Sequence, residues 1–135
     1  MRTSRRYLKT IGKEPAEIAQ IRHDVRAIAA TSGFADRAGD VALALDELVA
    51  NAQEHGSPPI DVEAWSDGRL IIEVFDRGAG FDRPEIWRSH PPEPSGSRGR
   101  GLWIVRQLAD RVEITGSATG TRVRVEFTVD PGIGA

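Results

Sequence analysis

Apolar residues recur at three- and four-residue steps along two long stretches of the chain, a spacing typical of helices with one buried face. The first stretch covers about 14–32, and Pro15 stands where it suits a first helical turn. The second covers about 36–55 and is followed by Gly56, a residue type that commonly ends helices. A third, shorter stretch at about 99–110 follows a glycine-rich segment. The pattern therefore predicts three helices.

Short apolar runs bounded by turn residues predict five strands. They lie at about 3–11, 60–66, 69–76, 112–117 and 121–129. The second and third runs are separated by Asp67-Gly68, a hairpin signal, and the last two by a short turn that ends in glycine. Strands that cluster in hairpins, instead of alternating singly with helices, favour the α+β class. We expect a two-layer sandwich in which helices cover one face of a mixed, largely antiparallel sheet.

The segment 77–98 is rich in Gly, Pro, Ser and Arg and shows little periodicity. A loop of this length inside a compact domain usually has a function. We therefore interpret residues 82–98 as a lid over a binding site. The full length, 1–135, fits a single domain.

The composition limits the function classes. The net charge is −2 with acids and bases mixed along the chain, which argues against a dedicated nucleic-acid-binding face. The chain has no cysteine, so disulfides and thiolate metal sites are excluded. No apolar run approaches the roughly 20 residues of a membrane span. We expect a cytoplasmic protein that contacts neither nucleic acid nor membrane directly.

The predicted second helix carries a polar pair, Glu47 and Asn51. Residues four apart project from the same side of a helix. An amide oxygen is a suitable ligand for Mg²⁺, which binds few protein groups and keeps water and phosphate oxygens. A carboxylate one turn away is placed to accept a proton from a hydroxyl. Taken alone, the pair is better explained as an ordinary polar flank of the helix.

The third predicted strand ends in Asp76, which is followed by Gly78 and Gly80. A carboxylate at a strand end is placed to accept a hydrogen bond from an exocyclic amine such as that of adenine. Glycines let the backbone turn and approach a ligand without a Cβ atom in the way. A plain turn after a strand would give the same short pattern.

A second glycine-rich segment, 96–101, leads directly into the third helix. The free N–H groups and the dipole of a helix N-terminus favour phosphate binding there. Arg98 and Arg100 are placed to add charge-assisted contacts with phosphate oxygens. The segment lacks the Gly-Lys-Ser/Thr ending of a Walker loop. Further on, Thr121 opens the last strand, and its hydroxyl is a candidate partner for the base that Asp76 would hold.

The four motifs together are more specific than any of them alone. Helical Glu-x-x-x-Asn, then Asp-x-Gly-x-Gly, then Gly-x-Gly before a helix, then Gly-Thr, closely resembles the Bergerat-fold ATPase superfamily of gyrase, heat-shock chaperone, histidine-kinase and MutL ATPase domains. Within it, the runs 45–52, 55–56 and 99–102 are similar to those of the small anti-sigma-factor serine kinases of bacteria.

This resemblance implies roles for individual residues with ATP and Mg²⁺. Asn51 would ligate Mg²⁺, and Glu47 would be the general base toward a serine of a partner protein. Asp76 would hold the adenine amine with help from Thr121. The base pocket would be shaped by Gly78 and Gly80, and the phosphates would meet backbone groups of Gly99, Arg100, Gly101 and Leu102.

The resemblance also implies a function and partners. The leading hypothesis is a protein serine kinase that binds a sigma factor and phosphorylates a small anti-sigma-factor antagonist. The alternative is a nucleotide-responsive binding module of the same fold without meaningful catalysis. A standalone ATP hydrolase is a third, less favoured interpretation. Homodimerisation through the first strand and helix is implied by the resemblance alone.

Overall fold

The computed structural model describes residues 6–78 and 100–129, which form one five-stranded sheet and a layer of helices. The strand order in the sheet is β1-β2-β3-β5-β4. In chain order the elements are β1 (Tyr7–Ile11), α1 (Pro15–Thr31), a 3-10 turn (Ala35–Arg37), α2 (Ala38–His55), β2 (Ile60–Ser66), β3 (Leu70–Asp76), α3 (Arg100–Leu108), β4 (Arg111–Ser117) and β5 (Gly120–Phe127).

The α+β class and the two-layer arrangement are confirmed. Each of the three predicted helices and five predicted strands is present among the described residues. Two details differ from the expectation. All four strand pairings in the described part are antiparallel. The second helix begins only at Ala38, because the segment predicted as its first turn is a 3-10 turn.

Helix α1 ends where the sequence places Gly33. The φ angle of this glycine is +92°, a left-handed value that other residues rarely adopt. The reversal lets the N–H of Phe34 donate to the carbonyl of Ala29, and it turns the Phe34 ring into the core. A single glycine therefore both ends α1 and directs the chain towards α2.

The helices and the sheet enclose one apolar core. Helix α2 lies in its centre, with Val41, Leu45, Leu48 and Val49 buried. The sheet contributes the alternate residues of β2, β3 and β5 whose side chains point towards the helices. None of the helices in these two ranges of residues is long and apolar enough to cross a lipid bilayer.

Polar contacts attach the outer elements to this core. The Tyr7 hydroxyl donates to Oδ2 of Asp24 at 2.8 Å and so joins β1 to α1. Burial raises the pKa of Tyr7, and this hydrogen bond lowers the pKa of Asp24. Nε of Arg22 lies 2.8 Å from Oδ1 of Asp46 and joins α1 to α2.

Candidate functional site

The described part of the site is centred on Asp76, the last residue of β3. Alternation along the strand points Asp76 to the same side as Val74, which is in the core. The residue is only 7% exposed. A buried position next to an apolar core rarely holds a carboxylate, because burying a charge costs free energy. The presence of Asp76 there indicates a role other than packing.

Two backbone N–H groups compensate for the burial of this carboxylate. The N–H of Gly78 donates to Oδ1 of Asp76 at 2.8 Å, and the N–H of Ser57 donates to the same carboxylate. Burial raises the pKa of Asp76, and these two hydrogen bonds oppose the rise. An ionised carboxylate offers about four acceptor positions. Asp76 therefore retains the capacity to accept a further hydrogen bond from a ligand.

Glycine backbone lies against Asp76 from two directions. A Cβ atom on Gly56 would come within 2.6 Å of Oδ2 of Asp76, and closer still to Cγ and Oδ1. A Cβ atom on Gly78 would lie 2.8 Å from Cα of Gly56. Real Cβ atoms do not make such contacts. The sequence interpretation of Gly56 as a helix-ending residue was incomplete, since its φ of −107° is open to any residue.

The neighbouring strand completes the pocket with Gly120 and Thr121. Thr121 is the register partner of Asp76 across β3 and β5, so the two residues that the sequence placed far apart are adjacent. A Cβ atom on Gly120 would collide with the carbonyl oxygen of Asp76 and lie 2.7 Å from Cζ of Phe75. The glycine of the Gly-Thr pair thus allows β5 to pack closely against the end of β3.

The Thr121 hydroxyl has an unusual environment. The residue is 4% exposed, and its Oγ1 is buried without a hydrogen-bond partner among the described residues. Leaving a buried hydroxyl unpaired costs free energy. An orphaned hydroxyl beside a buried carboxylate fits a ligand that brings both a hydrogen-bond donor and a further polar atom, as the amine edge of adenine does.

The chain after Asp76 is fixed by Arg77, a residue that the sequence interpretation did not use. The Arg77 N–H donates to the carbonyl of Ser57 at 3.0 Å. Its guanidinium donates to the carbonyl of Pro59 and, at 2.8 Å, to Oδ2 of Asp61. The variable position of the Asp-x-Gly motif therefore attaches the end of β3 to the start of β2. No pattern in the sequence signals this, because two of the three partners are backbone carbonyls and the third, Asp61, is distant in sequence.

Helix α2 carries Glu47 and Asn51 in the arrangement that the spacing predicted. Both side chains are half-buried, whereas Leu48 and Val49 between them are in the core. The pair therefore lies at the rim of the core. The same helix leads directly into Gly56 and the backbone that grips Asp76.

Helix α3 begins at Arg100, as the glycine-rich segment predicted. The backbone of Arg100, Gly101 and Leu102 forms its first turn. Val105 of this helix is buried in the core. At the other end, Nη2 of Arg37 donates to the carbonyl of Leu108 at 2.6 Å and caps the helix C-terminus.

Several predicted residues lie outside the described residues. These are Gly80, Arg98, Gly99 and the lid segment 82–98. Their assigned roles stay predictions. Within the described part, the structure brings together Asp76, Gly78 and Thr121, and it adds Gly56, Ser57 and Gly120 to them.

The arrangement fits the groups that the motifs imply. The orphaned Thr121 hydroxyl, the carboxylate of Asp76 and the surrounding glycine backbone suit a flat, amine-bearing base. The amide of Asn51 has the oxygen donor that Mg²⁺ prefers, and Mg²⁺ held by nucleotide phosphates needs few protein ligands. The described residues contain no cluster of three or more His, Asp or Glu side chains that would hold a metal ion by themselves.

One solved structure shows the same fold in another protein. The RsbU and RsbW domains of Rv1364c from Mycobacterium tuberculosis are similar with a TM-score of 0.66 and 23% identity, covering 93% of this chain and 32% of that chain. The chain thus spans about a third of the length of the chain in that solved structure. The histidine kinase domain of the E. coli osmosensor EnvZ has a TM-score of 0.48 and 24% identity, covering 69% of this chain and 66% of that one. A search of curated proteins found no match.

Comparison with protein families gives the assignment. The family described as the histidine kinase-like ATPase domain matches residues 11–127. This range contains all the elements from the end of β1 to β5 and every residue discussed around Asp76. The match also includes both glycine-rich segments. The chain belongs to the family of histidine kinase-like ATPase domains.

Proposed function

We propose that this protein is a Mg-ATP-dependent protein serine kinase of the anti-sigma-factor type. It binds a sigma factor and phosphorylates a small antagonist protein, so that phosphorylation decides which partner is held. The observation that carries ATP binding is the buried Asp76 carboxylate beside the unpartnered hydroxyl of Thr121. Membership of an ATPase-domain family supports the same ligand.

The adenine base would be recognised at the end of β3. Asp76 accepts a hydrogen bond from the exocyclic amine, and Thr121 provides its free hydroxyl to the base edge directly or through water. Gly56 and Gly78 keep the backbone close to the carboxylate, and Gly120 lets β5 approach the backbone carbonyl of Asp76. These contacts select a purine that has an amine where guanine has an oxygen.

The phosphates would lie between α2 and the start of α3. The N-terminus of α3 places the backbone N–H groups of Arg100, Gly101 and Leu102 in the first helical turn, where a helix offers them no intrahelical partner. Asn51 on α2 would hold Mg²⁺, which neutralises phosphate charge when bound. Gly80, Arg98, Gly99 and the lid 82–98 would complete the enclosure in this proposal.

Glu47 would be the general base. It lies one turn before Asn51 on the same helix, so a serine hydroxyl directed at a phosphate near Asn51 also comes within its reach. The carboxylate accepts the hydroxyl proton, the serine oxygen forms a bond to the γ-phosphorus, and the bond to the ADP oxygen breaks. Phosphoryl transfer requires mainly positioning and charge neutralisation, which this set of groups provides.

The partner-switching role has separate support. One similar structure, of 23% identity, includes a domain named RsbW, and the motif runs on α2 and before α3 resemble those of anti-sigma-factor kinases. The structural similarity supports only the fold, whereas the sequence motifs support the proposed type of kinase. The sigma factor and its antagonist are proposed as partners because of that resemblance.

The test is phosphoryl transfer from labelled ATP to candidate antagonist proteins that carry an acceptor serine. We expect phosphoserine to form with the unchanged protein. Replacing Glu47→Gln should lower the rate by roughly 10²–10⁴-fold, the usual contribution of a general base, with little change in ATP affinity. Asp40→Asn makes the same chemical change at an exposed position on the same helix and should leave the rate unchanged.

Two outcomes would contradict this proposal in different ways. Tight ATP binding without transfer to any antagonist would favour the alternative, a nucleotide-responsive binding module. Absence of ATP binding would contradict both. Transfer that survives Glu47→Gln at the full rate would show that another group accepts the proton.

A further inference from the structure

The backbone conformation at position 56 does not explain why this residue is a glycine. Its φ of −107° and ψ of −155° are extended values that any residue adopts. The reason lies in its surroundings, since a Cβ atom there would come within 2.6 Å of Oδ2 of Asp76 and closer to two other carboxylate atoms. By comparison, a Cβ atom on Gly78 would lie 3.2 Å from the nearest carboxylate atom of Asp76.

The backbone around Gly56 also holds the carboxylate by hydrogen bonding. The N–H of the next residue, Ser57, donates to Asp76 from one side. The N–H of Gly78 donates to Oδ1 from the other, at 2.8 Å. Gly78 is itself in contact with Gly56, because a Cβ atom on it would lie 2.8 Å from Gly56 Cα. The carboxylate is thus enclosed by two glycine backbones that touch each other.

We propose that Gly56 is a positioning residue that determines base specificity through Asp76. Its lack of a side chain allows the segment after α2 to fix the carboxylate in one orientation, which is the orientation that accepts a hydrogen bond from the 6-amine of a purine. This inference rests on the proposed ATP binding, and it adds a residue that acts on the base without belonging to the adenine-contacting pair Asp76 and Thr121.

The physical basis is the short reach of an aspartate. Its carboxylate turns about only two side-chain bonds, and the backbone of Gly56 and Gly78 lies close to its atoms. A methyl group at position 56 would force either a rotation of the carboxylate or a retreat of the 56–57 backbone. Either change breaks at least one of the two N–H hydrogen bonds. A carboxylate turned away from the base no longer distinguishes an amine from a carbonyl oxygen at C6.

The experiment compares ATP with inosine triphosphate, which has a carbonyl oxygen in place of the 6-amine. The unchanged protein should bind ATP far more tightly. Gly56→Ala should weaken ATP binding by roughly ten- to a hundredfold, the range for loss of a hydrogen bond to a charged group. Binding of inosine triphosphate should change little, so that the preference for the amine collapses. A merely structural defect would weaken both nucleotides equally.

Gly39→Ala is the matched control. Gly39 lies on the helix that ends at Gly56, and a Cβ atom there would meet nothing within 4 Å. This variant should bind both nucleotides as the unchanged protein does. It shows that the effect of Gly56→Ala does not come from adding a methyl group near an end of α2 as such.

A second measurement tests whether Gly56 acts through Asp76. Gly56→Ala should lower the thermal midpoint of the nucleotide-free protein. The same change should cost less in an Asp76→Ala background, where the space of the carboxylate accepts the methyl group. Additive effects in this cycle would overturn the proposal, as would an unchanged preference for ATP in Gly56→Ala. If the unchanged protein binds no ATP, the proposed function fails instead.

Discussion

The two faces of strand β3 are closed by different kinds of contact. Towards the helices the strand presents an apolar row that packs into the common core and ends in a carboxylate: Leu70, Ile72, Val74 and Asp76. Away from the helices it presents Ile71, Glu73 and Phe75. The inward row changes from apolar to charged at a position where core packing would place another apolar side chain. This change of residue type marks the site more clearly than the exposed fractions of these residues do.

The outward face is buried by arginine side chains instead of helices. Trp65 on β2 is buried between the guanidinium groups of Arg6, 4.1 Å from the ring centroid, and Arg124, at 5.4 Å. Nε of Arg124 also lies 2.6 Å from Oε2 of Glu73. Long arginine stems cover apolar surface while their charged ends stay near water. The face is therefore covered by side chains that can move, whereas the inward face is covered by fixed helices.

The largest effect expected from this difference is on stability. Ile71 and Ile72 are adjacent, of the same type, and 2% and 0% exposed, but they lie on opposite faces. Ile72→Ala should reduce the free energy of unfolding by about 2–5 kcal/mol, as is usual for a core isoleucine. Ile71→Ala should cost roughly half of that or less, since arginine stems and water can fill the space. Chemical denaturation measures both, and equal costs would contradict the distinction.

A second comparison concerns function and uses two carboxylates of the same strand. Asp76→Ala should weaken ATP binding by about 1.5–3 kcal/mol, the value of a hydrogen bond to a charged group. Glu73→Ala removes a carboxylate on the opposite face, where its partners are Arg122 and Arg124, and should leave ATP binding unchanged. Calorimetric titration distinguishes the two variants. Equal losses would show that the base is not bound on the helix side of the sheet.

The sequence predicted the elements well because their signals are local. Strand β2 was predicted at 60–66 and observed at Ile60–Ser66, since its apolar residues alternate between clear turn signals. The pair Glu47 and Asn51 was likewise placed correctly on one side of α2, because helical geometry alone fixes a four-residue spacing. Their roles with Mg²⁺ and a serine hydroxyl stay predictions.

Contacts between distant segments could not be predicted in this way. The adjacency of Asp76 and Thr121 depends on the register between β3 and β5, which local periodicity does not determine. The role of Gly56 depends on a carboxylate in another element, and that of Arg77 depends on backbone carbonyls. Family resemblance suggested the first of these three and was silent on the others. They required the folded arrangement.

The dependence on pH should distinguish the inward carboxylate from an exposed one. Burial raises the pKa of Asp76, so the folded protein takes up this proton at a higher pH than the unfolded chain does. The charged form accepts the amine hydrogen bond most strongly. As the pH falls through the raised pKa, ATP affinity should decline, and it should begin to decline above the ordinary range of an aspartate.

The matched measurement uses Asp76→Ala over the same pH range. Protonation of the nucleotide itself affects both proteins equally, so the ratio of their affinities isolates the carboxylate. This ratio should be constant near neutral pH and should fall towards one as the medium becomes acidic. A ratio that does not change with pH would contradict the role of an ionised Asp76.

The smallest effect, and the most specific one, is expected at Thr121. Thr121→Val removes a hydroxyl that has no partner in the described residues and replaces it with a methyl group of similar size. The nucleotide-free protein should keep its stability or gain about 1 kcal/mol, because a buried unpaired group is removed. ATP binding should weaken by about two- to tenfold, the value of one neutral hydrogen bond. Thr115→Val, at an exposed position of β4 on the outward face, should change neither quantity. Loss of stability in Thr121→Val would mean that the hydroxyl is already satisfied within the folded protein, and Asp76 would then bind the base without it.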